Sequence, residues 1–267
     1  MPGHIIATVQ NYWGYEMINI ETIANSGQCF RFFKNKTSGY DIVAFGKHTR
    51  VDNLDDETLW IDSPDGVDWE RYFNIDSDNT IESPDPFLAK AIEHSPGLTI
   101  LRQDPWEVLV SFIISQRKSI PAIKNSIERL CKEYGTPIDD TYYAFPTAEQ
   151  LMWLDKDECG LGYRKNYVRL LSRNIVDGIF DMEELITADY GTAKKMLLNI
   201  KGVGEKIANC VLLYGLGFDN AFPVDVHMKH ILDEYYPNGF PYDKYAGQLG
   251  LVQQYLFEYD RYLTKRR

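Results

Sequence analysis

The sequence lacks the patterns that mark a metalloprotein, a secreted protein or a membrane protein. Its four cysteines, Cys29, Cys131, Cys159 and Cys210, are widely spaced and form no CxxC pair. That spacing argues against a zinc ribbon, an iron–sulfur loop and a disulfide framework. The first twenty residues show no signal-peptide pattern, and apolar runs such as VLVSFII are too short to cross a bilayer. We expect a soluble cytoplasmic protein (nucleoid-associated in a bacterium), monomeric, with no metal, no cofactor and no membrane partner.

Basic residues are too few to balance the acidic ones. The chain has 28 Lys and Arg against 39 Asp and Glu, a formal net charge of −11, which disfavours nucleic-acid binding. The charge is uneven, however. Residues 51–70 carry eight acids and no base, whereas SQRKSIPAIK (115–124) and GYRKNYVR (162–169) carry three bases each and no acid. These two segments are either a phosphate-binding surface or ordinary solvated helix faces.

Hydrophobic periodicity predicts an α+β fold. Short segments rich in aromatic and β-branched residues predict an N-terminal antiparallel sheet of four or five strands. The four predicted strand segments are MINIETI (17–23), CFRFFKN (29–35), YDIVAFGKHTRVD (40–52) and ETLWID (57–62). From about Asp85 the spacing becomes helical and predicts about eight helices. We expect a sheet domain with an acidic connector at 1–98, packed on a larger all-helical domain at 99–267.

A Gly-Val-Gly turn joins two helical patterns in IKGVGEKIANC (200–210), which predicts a helix–hairpin–helix. Gly202 and Gly204 permit positive φ and the close approach of another backbone. The first amides of the second helix suit a phosphate oxygen. Lys206 lies in the first turn of that helix, where the helix dipole disfavours a cation. This position favours a nucleophilic amine; the alternative is a tight turn with a solvated or phosphate-contacting lysine.

A carboxylate follows Lys206 in FPVDVHMKHI (222–231). Pro223 ends the incoming loop, and Asp225 lies at or beside the N-cap of the next helix. One helix and a return loop separate Lys206 from Asp225, so the two side chains can converge. Beside an amine, the carboxylate would stabilise a cationic, sugar-like transition state. The alternative is that Asp225 only caps its helix.

Six segments, in order along the chain, resemble the 8-oxoguanine DNA glycosylases of the helix–hairpin–helix, Gly/Pro…Asp superfamily. They are SGQCFRF (26–32), LRQDPWEVLVSFIIS (101–115), GLGYRKNYV (160–168), IKGVGEKIANC (200–210), FPVDVHMKHI (222–231) and YAGQLGLVQQYLF (245–257). The resemblance covers most of the chain, from about Ser26 to Phe257. It implies a small antiparallel sheet domain packed on a helical domain, in agreement with the periodicity.

The resemblance implies a bifunctional DNA glycosylase and AP lyase that excises 8-oxoguanine from double-stranded DNA in base excision repair. The damaged nucleotide would be flipped out of the duplex. Lys206 would then attack the sugar C1′, with Asp225 as the second catalytic residue, and a Schiff base would lead to β-elimination. The carbonyl of Gly27 would accept a hydrogen bond from N7 of the oxidised base, where guanine has only an acceptor.

The resemblance also assigns residues to the flipped base and to the DNA. Cys210 and Phe257 would sandwich the base, and Gln253 would bind its Watson–Crick edge. The DNA contacts it implies are Gln116, Arg117, Tyr163, Arg164, Gly202, Val203, Gly204 and His227. Among these, Tyr163 and Arg164 match the pair that fills the gap and contacts the widowed cytosine. The residues alone leave other roles open: a turn glycine at 27, a core aromatic at 257 and a surface histidine at 227.

The chain departs from the family pattern in SQRKSIP (115–121). Arg117 stands where the family has an asparagine, and Pro121–Ala122 replaces a position that carries arginine in animal members. Selection for cytosine opposite the lesion is therefore open. Two other functions remain as alternatives. A monofunctional alkylbase glycosylase would lack Lys206 and use water, and a non-catalytic DNA-binding module would leave Lys206 and Asp225 idle.

Overall fold

The structure is a computed structural model that describes residues 3–8, 18–36, 39–53, 58–63, 66–77, 79–82, 85–155 and 159–266. It has an antiparallel sheet near the N-terminus followed by a helical domain. The predicted α+β class is therefore confirmed. Within the described ranges, no helix is long and apolar enough to cross a membrane.

The sheet contains five strands in the described part of the chain, in the order β1-β5-β4-β3-β2, and every neighbouring pair is antiparallel. The strands are β1 (Gly3–Thr8), β2 (Phe32–Lys34), β3 (Tyr40–Ala44), β4 (Lys47–Asn53) and β5 (Thr58–Ser63). Three of the four predicted segments form β2 to β5, because YDIVAFGKHTRVD turns at Phe45 and Gly46 into a hairpin. Strand β1 was not predicted.

The prediction of a strand at MINIETI was wrong. Its described part, residues 18–23, leads into helix α1 (Ile20–Asn25); Met17 lies outside the described residues. The side chain of Asn19 caps this helix by accepting a hydrogen bond from the Thr22 backbone N–H at 2.9 Å. Ile20, Ile23 and Ala24 are buried. Their i, i+3, i+4 spacing is that of a helix face, which a short strand-like composition concealed.

The sheet domain has its own apolar core. Helix α2 (Trp69–Phe73), predicted as a helix-like piece, brings Trp69 and Phe73 into full burial. These rings pack with Ile42 and Ile61 from the sheet and with Ile23 from α1. Full burial of each such side chain stabilises the fold by roughly 1.5–3 kcal/mol. The sheet, α1 and α2 therefore share one apolar core, and the loop that contains Gly27 follows directly after α1.

Ten α-helices lie after residue 85 in the described chain, together with a 3-10 helix at Tyr242–Tyr245. They are α3 (Pro86–His94), α4 (Pro105–Ser115), α5 (Ile120–Tyr134), α6 (Ala148–Leu151), α7 (Arg164–Val176), α8 (Met182–Thr187), α9 (Tyr190–Leu198), α10 (Glu205–Tyr214), α11 (Val226–Tyr235) and α12 (Leu249–Lys265). Eight of them were predicted. The two that were missed are α3, in the Ser/Pro/Asp-rich connector, and the six-residue α8.

Two apolar cores meet where the connector enters the helical part. Leu88, Ala91 and Leu98 belong to the helical core, whereas Leu101 packs in the core of the sheet. The chain thus contributes to both cores within a few residues. The domain boundary at 98/99 stays a prediction.

Candidate active site

The helix–hairpin–helix is formed by α9, the loop 199–204 and α10. Ile200 and Val203 are buried and fix the loop to the core. Gly202 has φ +93°, and a Cβ there would lie 2.5 Å from the ring of Tyr167. Gly204 is the N-cap of α10 and offers no side-chain cap. The loop therefore needs glycine at 202 for backbone shape and contact, while the start of α10 is left open.

Lys206 lies in the first turn of α10 and is half-buried. Its Nζ is 4.7 Å from the centroid of the Phe112 ring on α4, a cation–π contact. Cys210 lies one turn further on the same face and is buried. Burial raises the pKa of the Cys210 thiol to about 11, and the nearby Lys206 opposes that rise. The thiol is therefore neutral and unsuited to act as a nucleophile.

Asp225 is the N-cap of α11, and its Oδ1 accepts a hydrogen bond from the Met228 backbone N–H at 2.9 Å. Asp225 also acts electrostatically on Cys210. Asp225 and Lys206 line one cavity. The carboxylate thus caps a helix and lines the same cavity as the amine.

The cavity beside Lys206 collects every catalytic and base-contacting residue that the sequence suggested. Its lining residues are Gly27, Phe112, Lys206, Cys210, Tyr214, Pro223, Asp225, Gln253, Gln254 and Phe257. Its volume is about 30 Å³, room for about one water molecule. A purine base does not fit until side chains move.

Gln253 has a buried acceptor without a partner. The side chain is 3% exposed, and no donor among the described residues bonds its Oε1. An unpaired buried acceptor destabilises a protein by about 1–3 kcal/mol. Because Gln253 lines the cavity, a ligand with an N–H group would satisfy it there.

Gly27 also lines the cavity and has a left-handed conformation, with φ +74°. A Cβ at this position would lie 3.0 Å from Cδ1 of Ile120 and 3.5 Å from Cε1 of Phe257. The Phe257 ring thus lies close to Gly27 and occupies the part of the cavity next to it. Movement of this ring is the simplest way to enlarge the cavity.

His227 lies behind Phe257, with ring centroids 5.5 Å apart. Its Nδ1 lies 2.7 Å from Oδ2 of Asp260, a buried carboxylate that also binds Nδ1 of His230 at 2.9 Å. The side chain of His227 is 30% exposed. Its predicted phosphate contact would therefore fall to Nε2, the ring nitrogen that Asp260 does not hold.

The predicted DNA-contacting residues fall into two groups. Tyr163 is 46% exposed, and Arg117 is exposed at φ +52°. Arg164, in contrast, is 8% exposed. Its guanidinium donates to the backbone oxygens of Gln116 and Leu161. In this conformation Arg164 ties the α4–α5 loop to the start of α7, and its contact with DNA stays a prediction.

Four residues that line the cavity were not predicted to belong to the site: Phe112, Tyr214, Pro223 and Gln254. Phe112 and Tyr214 lie in apolar helices and stack on one another, with centroids 5.6 Å apart. Nothing in their spacing separates them from core residues. Gln254 had a signal, since two adjacent glutamines interrupt the otherwise apolar run LVQQYLF.

A larger cavity of about 260 Å³ lies elsewhere, between the β3–β4 turn and the N-terminal end of α4. Phe45, Trp106 and Phe145 supply aromatic walls, and Glu107 lines it as well. None of the catalytic or base-contacting residues suggested by the sequence lies there. Size alone therefore does not locate the chemistry. Among the residues that the structure describes, no group of three or more His, Cys, Asp or Glu could hold a metal ion.

Comparison with known families places both parts of the chain. Residues 110–241 match the HhH-GPD superfamily of base excision DNA repair proteins. Residues 13–109 match the N-terminal domain of 8-oxoguanine DNA glycosylase. The two matches adjoin and together cover most of the chain.

Individual relatives agree. The chain is 36% identical to an N-glycosylase/DNA lyase of Saccharomyces cerevisiae, over 60% of this chain and 49% of that protein, so it spans about half of that relative. It is 31% identical to a probable N-glycosylase/DNA lyase of Methanothermobacter thermautotrophicus, over 66% of this chain and 68% of that protein.

A solved structure agrees as well. The crystal structure of Clostridium acetobutylicum 8-oxoguanine glycosylase/lyase, in complex with dsDNA containing cytosine opposite to 8-oxoG, is 30% identical, with a TM-score of 0.85 over 93% of each chain. The chain belongs to the 8-oxoguanine DNA glycosylases of the HhH-GPD superfamily of base excision DNA repair proteins.

Proposed function

We propose that this protein is a bifunctional DNA glycosylase and AP lyase that excises 8-oxoguanine from double-stranded DNA in base excision repair. One observation carries the proposal: the amine of Lys206, the carboxylate of Asp225 and the unpaired acceptor of Gln253 line the same cavity. Relatives named N-glycosylase/DNA lyase support the pairing of the two activities.

Lys206 separates this function from its main alternative. A monofunctional glycosylase uses water and needs no amine beside its carboxylate. Here the Nζ of Lys206 is held over the Phe112 ring in the cavity wall, so an amine lies where a flipped sugar would enter. We assign Lys206 as the nucleophile and Asp225 as the carboxylate that stabilises positive charge on the sugar.

The reaction begins with the damaged nucleotide flipped into the cavity. The neutral amine of Lys206 attacks C1′ while the N-glycosidic bond breaks, and the base leaves with the bonding electron pair and gains a proton. The attached amine loses one of its two protons, the C1′–O4′ bond breaks and O4′ takes up a proton, which leaves an iminium, the protonated Schiff base, between Lys206 and C1′. Removal of a proton from C2′ then expels the 3′ phosphate by β-elimination and cuts the strand.

Recognition of the lesion would depend on Gly27, Gln253, Cys210 and Phe257. The Gly27 carbonyl accepts from the N7–H of 8-oxoguanine and repels the bare N7 of guanine. The Oε1 of Gln253 accepts from the Watson–Crick edge, which resolves its unpaired state. Phe257 moves away from Gly27 and then stacks on the base opposite Cys210.

The DNA would lie across the hairpin and the two basic segments. Gly202, Val203 and Gly204 present the open start of α10 to a phosphate, with His227 as a second phosphate contact. Gln116, Arg117, Tyr163 and Arg164 would face the gap and the opposite base. We further propose that the protein acts as a monomer in the compartment that holds the DNA, which is the cytoplasm in a bacterium.

Borohydride trapping tests the proposal. Wild type and Lys206→Gln are each incubated with four duplexes, which carry one 8-oxoguanine opposite A, C, G or T. Lys201→Gln is the control for the loss of a hairpin lysine. We expect a covalent complex that requires both the lesion and Lys206. Base release without trapping would instead support a water-using glycosylase. If neither base release nor a covalent complex were observed, the protein would instead be a non-catalytic DNA-binding module that uses the hairpin.

A further inference from the structure

We propose that Tyr214 and Gln254 are positioning residues that hold the Gly27 carbonyl at the angle needed to tell 8-oxoguanine from guanine. This inference rests on the proposed function. Neither residue would bond the base itself. They would act through Ser26, the residue before Gly27.

The two side chains form a buried hydrogen-bond relay. The hydroxyl of Tyr214 on α10 donates to Oε1 of Gln254 on α12 at 2.6 Å. The Nε2 of Gln254 then donates to the Ser26 backbone oxygen at 2.5 Å. Tyr214 is 4% exposed, Gln254 1% and Ser26 0%. The relay therefore links the hairpin helix to the Gly27 loop through side chains that are buried in the interior.

The direction of each bond is fixed by chemistry. A backbone oxygen only accepts, so Gln254 must turn its NH₂ group to Ser26 and its oxygen to Tyr214. Tyr214 must then donate its hydroxyl proton. Burial raises the pKa of Tyr214 well above its ordinary value, so the hydroxyl keeps that proton. The relay has one arrangement, which makes it a rigid strut.

A second set of bonds holds the residue after Gly27. Gln28 is fully buried, and its Nε2 donates to the Thr99 oxygen at 2.9 Å. Its Oε1 accepts from the Leu101 N–H at 2.8 Å, and its own backbone oxygen accepts from Gln103. Gly27 is thus held between two anchored neighbours, one of which depends on the relay.

Anchoring matters because glycine is the most permissive residue. At φ +74°, Gly27 has no side chain that would fix its carbonyl. The hydrogen bond to N7–H weakens steeply as its angle falls toward 120°. A carbonyl that swings would lose that bond with the lesion and would also repel guanine less. Its direction sets the selectivity, and the relay sets its direction.

Gln253 shows that the relay is not a set of base contacts. Gln253 and Gln254 both line the cavity. The Oε1 of Gln253 lacks a partner among the described residues, whereas both polar atoms of Gln254 are already used. One glutamine is left ready for the base, and its neighbour is committed to the protein.

The test compares Tyr214→Phe, Gln254→Met and the double variant with wild type. Tyr255→Phe is the matched control, because Tyr255 is a buried tyrosine whose hydroxyl faces the Leu98 oxygen instead. Three duplexes are used: one with 8-oxoguanine, one with guanine and one with an abasic site. An abasic site has no base for Gly27 to read, so its cleavage reports Lys206 chemistry alone.

We expect the 8-oxoguanine-to-guanine ratio of kcat/KM to fall by about tenfold in either variant, the effect of losing one well-directed hydrogen bond. Abasic cleavage should stay near wild type. The double variant should be no worse than Gln254→Met, because both residues belong to one relay. The control should keep its selectivity.

Three outcomes would overturn the inference. Unchanged selectivity in both variants would show that the relay does not set the carbonyl. An equal fall in 8-oxoguanine excision and abasic cleavage, with a lower Tm, would show a purely structural role. Additive losses in the double variant would show two separate roles. Failure of the proposed function looks different, because wild type itself would then leave the 8-oxoguanine duplex intact.

Discussion

At the scale of the residue, the neighbouring glutamines Gln253 and Gln254 of α12 differ in their hydrogen bonding. Gln254 is completely bonded between Tyr214 and Ser26. Gln253 is equally buried, yet its Oε1 lacks a partner among the described residues. A buried polar atom without a partner is unfavourable for folding. Its persistence beside Lys206 and Asp225 is what a site built for a ligand, rather than for stability, would show.

Replacement of Gln253 by leucine should therefore stabilise the protein while it removes activity. The change deletes the unpaired acceptor, and we expect the free energy of unfolding to rise by about 1 kcal/mol. Excision of 8-oxoguanine should fall because the Watson–Crick edge loses its acceptor. Denaturant unfolding and single-turnover excision on the same preparations measure both effects.

Gln254→Leu is the control for this experiment. It leaves the Tyr214 hydroxyl and the Ser26 oxygen unpaired, so stability should fall by about 1–3 kcal/mol. If both leucine variants lost stability to the same extent, the acceptor of Gln253 would have a partner in solution, and the argument for a ligand there would be lost.

At the scale of the element, two helix starts carry the site, and they differ in their caps. The α10 start is capped only by Gly204, so its first turn stays open around Lys206. The α11 start is capped by the side chain of Asp225. The α10 start thus has no side-chain cap, and the α11 start is capped by a carboxylate that lines the same cavity as Lys206.

The two tasks of Asp225 can be separated by substitution. Asparagine also caps helices, whereas alanine does not. Asp225→Asn should keep the wild-type Tm, and Asp225→Ala should lose about 1 kcal/mol of stability. Both should reduce excision by about a hundredfold or more, because the negative charge is gone. Thermal melting and single-turnover kinetics provide the two readouts; an active Asp225→Asn would reduce Asp225 to a cap.

The hairpin glycines should differ sharply in their tolerance of alanine. A Cβ at Gly202 would collide with the Tyr167 ring at a backbone of φ +93°. Gly202→Ala should therefore destabilise the protein by about 2 kcal/mol or more and weaken DNA binding. A Cβ at Gly204 meets nothing within 4 Å, so Gly204→Ala should lose at most about 1 kcal/mol through the poorer cap.

Unfolding by urea and titration of a labelled duplex measure these effects. If the two alanine variants were equally stable, the hairpin would be able to move away from the Tyr167 ring. The close contact between Gly202 and Tyr167 would then not require glycine at this position.

Elements were predictable where one pattern dominated. Asp104 and Pro105 begin α4 as the sequence indicated, with the Asp104 side chain accepting from the Glu107 N–H at 2.8 Å. At MINIETI the composition favoured a strand, but the Asn19 cap and the burial spacing selected a helix. The inward turn of Arg164 had no sequence signal, because its partners are backbone oxygens that only the fold brings close.

At the scale of the whole molecule, ordered motifs indicated a candidate site, whereas the bulk properties did not. The net charge of −11 argued against DNA binding, and the cavity beside Lys206 is smaller than the one beside Glu107. The motifs mark α10, the start of α11, α12 and the Gly27 loop, and residues from all four line the cavity beside Lys206. The relay through Tyr214 could not be predicted, since it depends on how α10 packs near α12.

Glu107, a half-buried residue that lines the larger cavity, gives the fold a dependence on pH. Burial raises the pKa of its carboxyl from 4.5 to about 8; Arg31 opposes the rise, and Asp104 and Glu128 add to it. Between these two values the folded state binds more protons than the unfolded state. The free energy of unfolding should therefore decrease as pH rises from about 4.5 to about 8.

Glu107→Gln should remove this dependence, since glutamine resembles the protonated acid and does not titrate. We expect the variant to match wild type near pH 5 and to exceed its stability at pH 8 by up to a few kcal/mol. Urea unfolding at both pH values measures this difference, with the exposed Glu133→Gln as control. Parallel pH profiles for wild type and Glu107→Gln would contradict the assignment.

The small volume of the cavity beside Lys206 also has a consequence for the binding of free purine bases. At about 30 Å³ it is too small for a purine base unless side chains move. Only the open fraction of molecules can bind, so the apparent Kd for a free nucleobase rises in inverse proportion to that fraction. Duplex DNA adds backbone contacts that offset the opening, whereas a free base brings none. Free guanine and its oxidised form should therefore be weak competitive inhibitors, and the enzyme stays available for lesions that are still part of a strand.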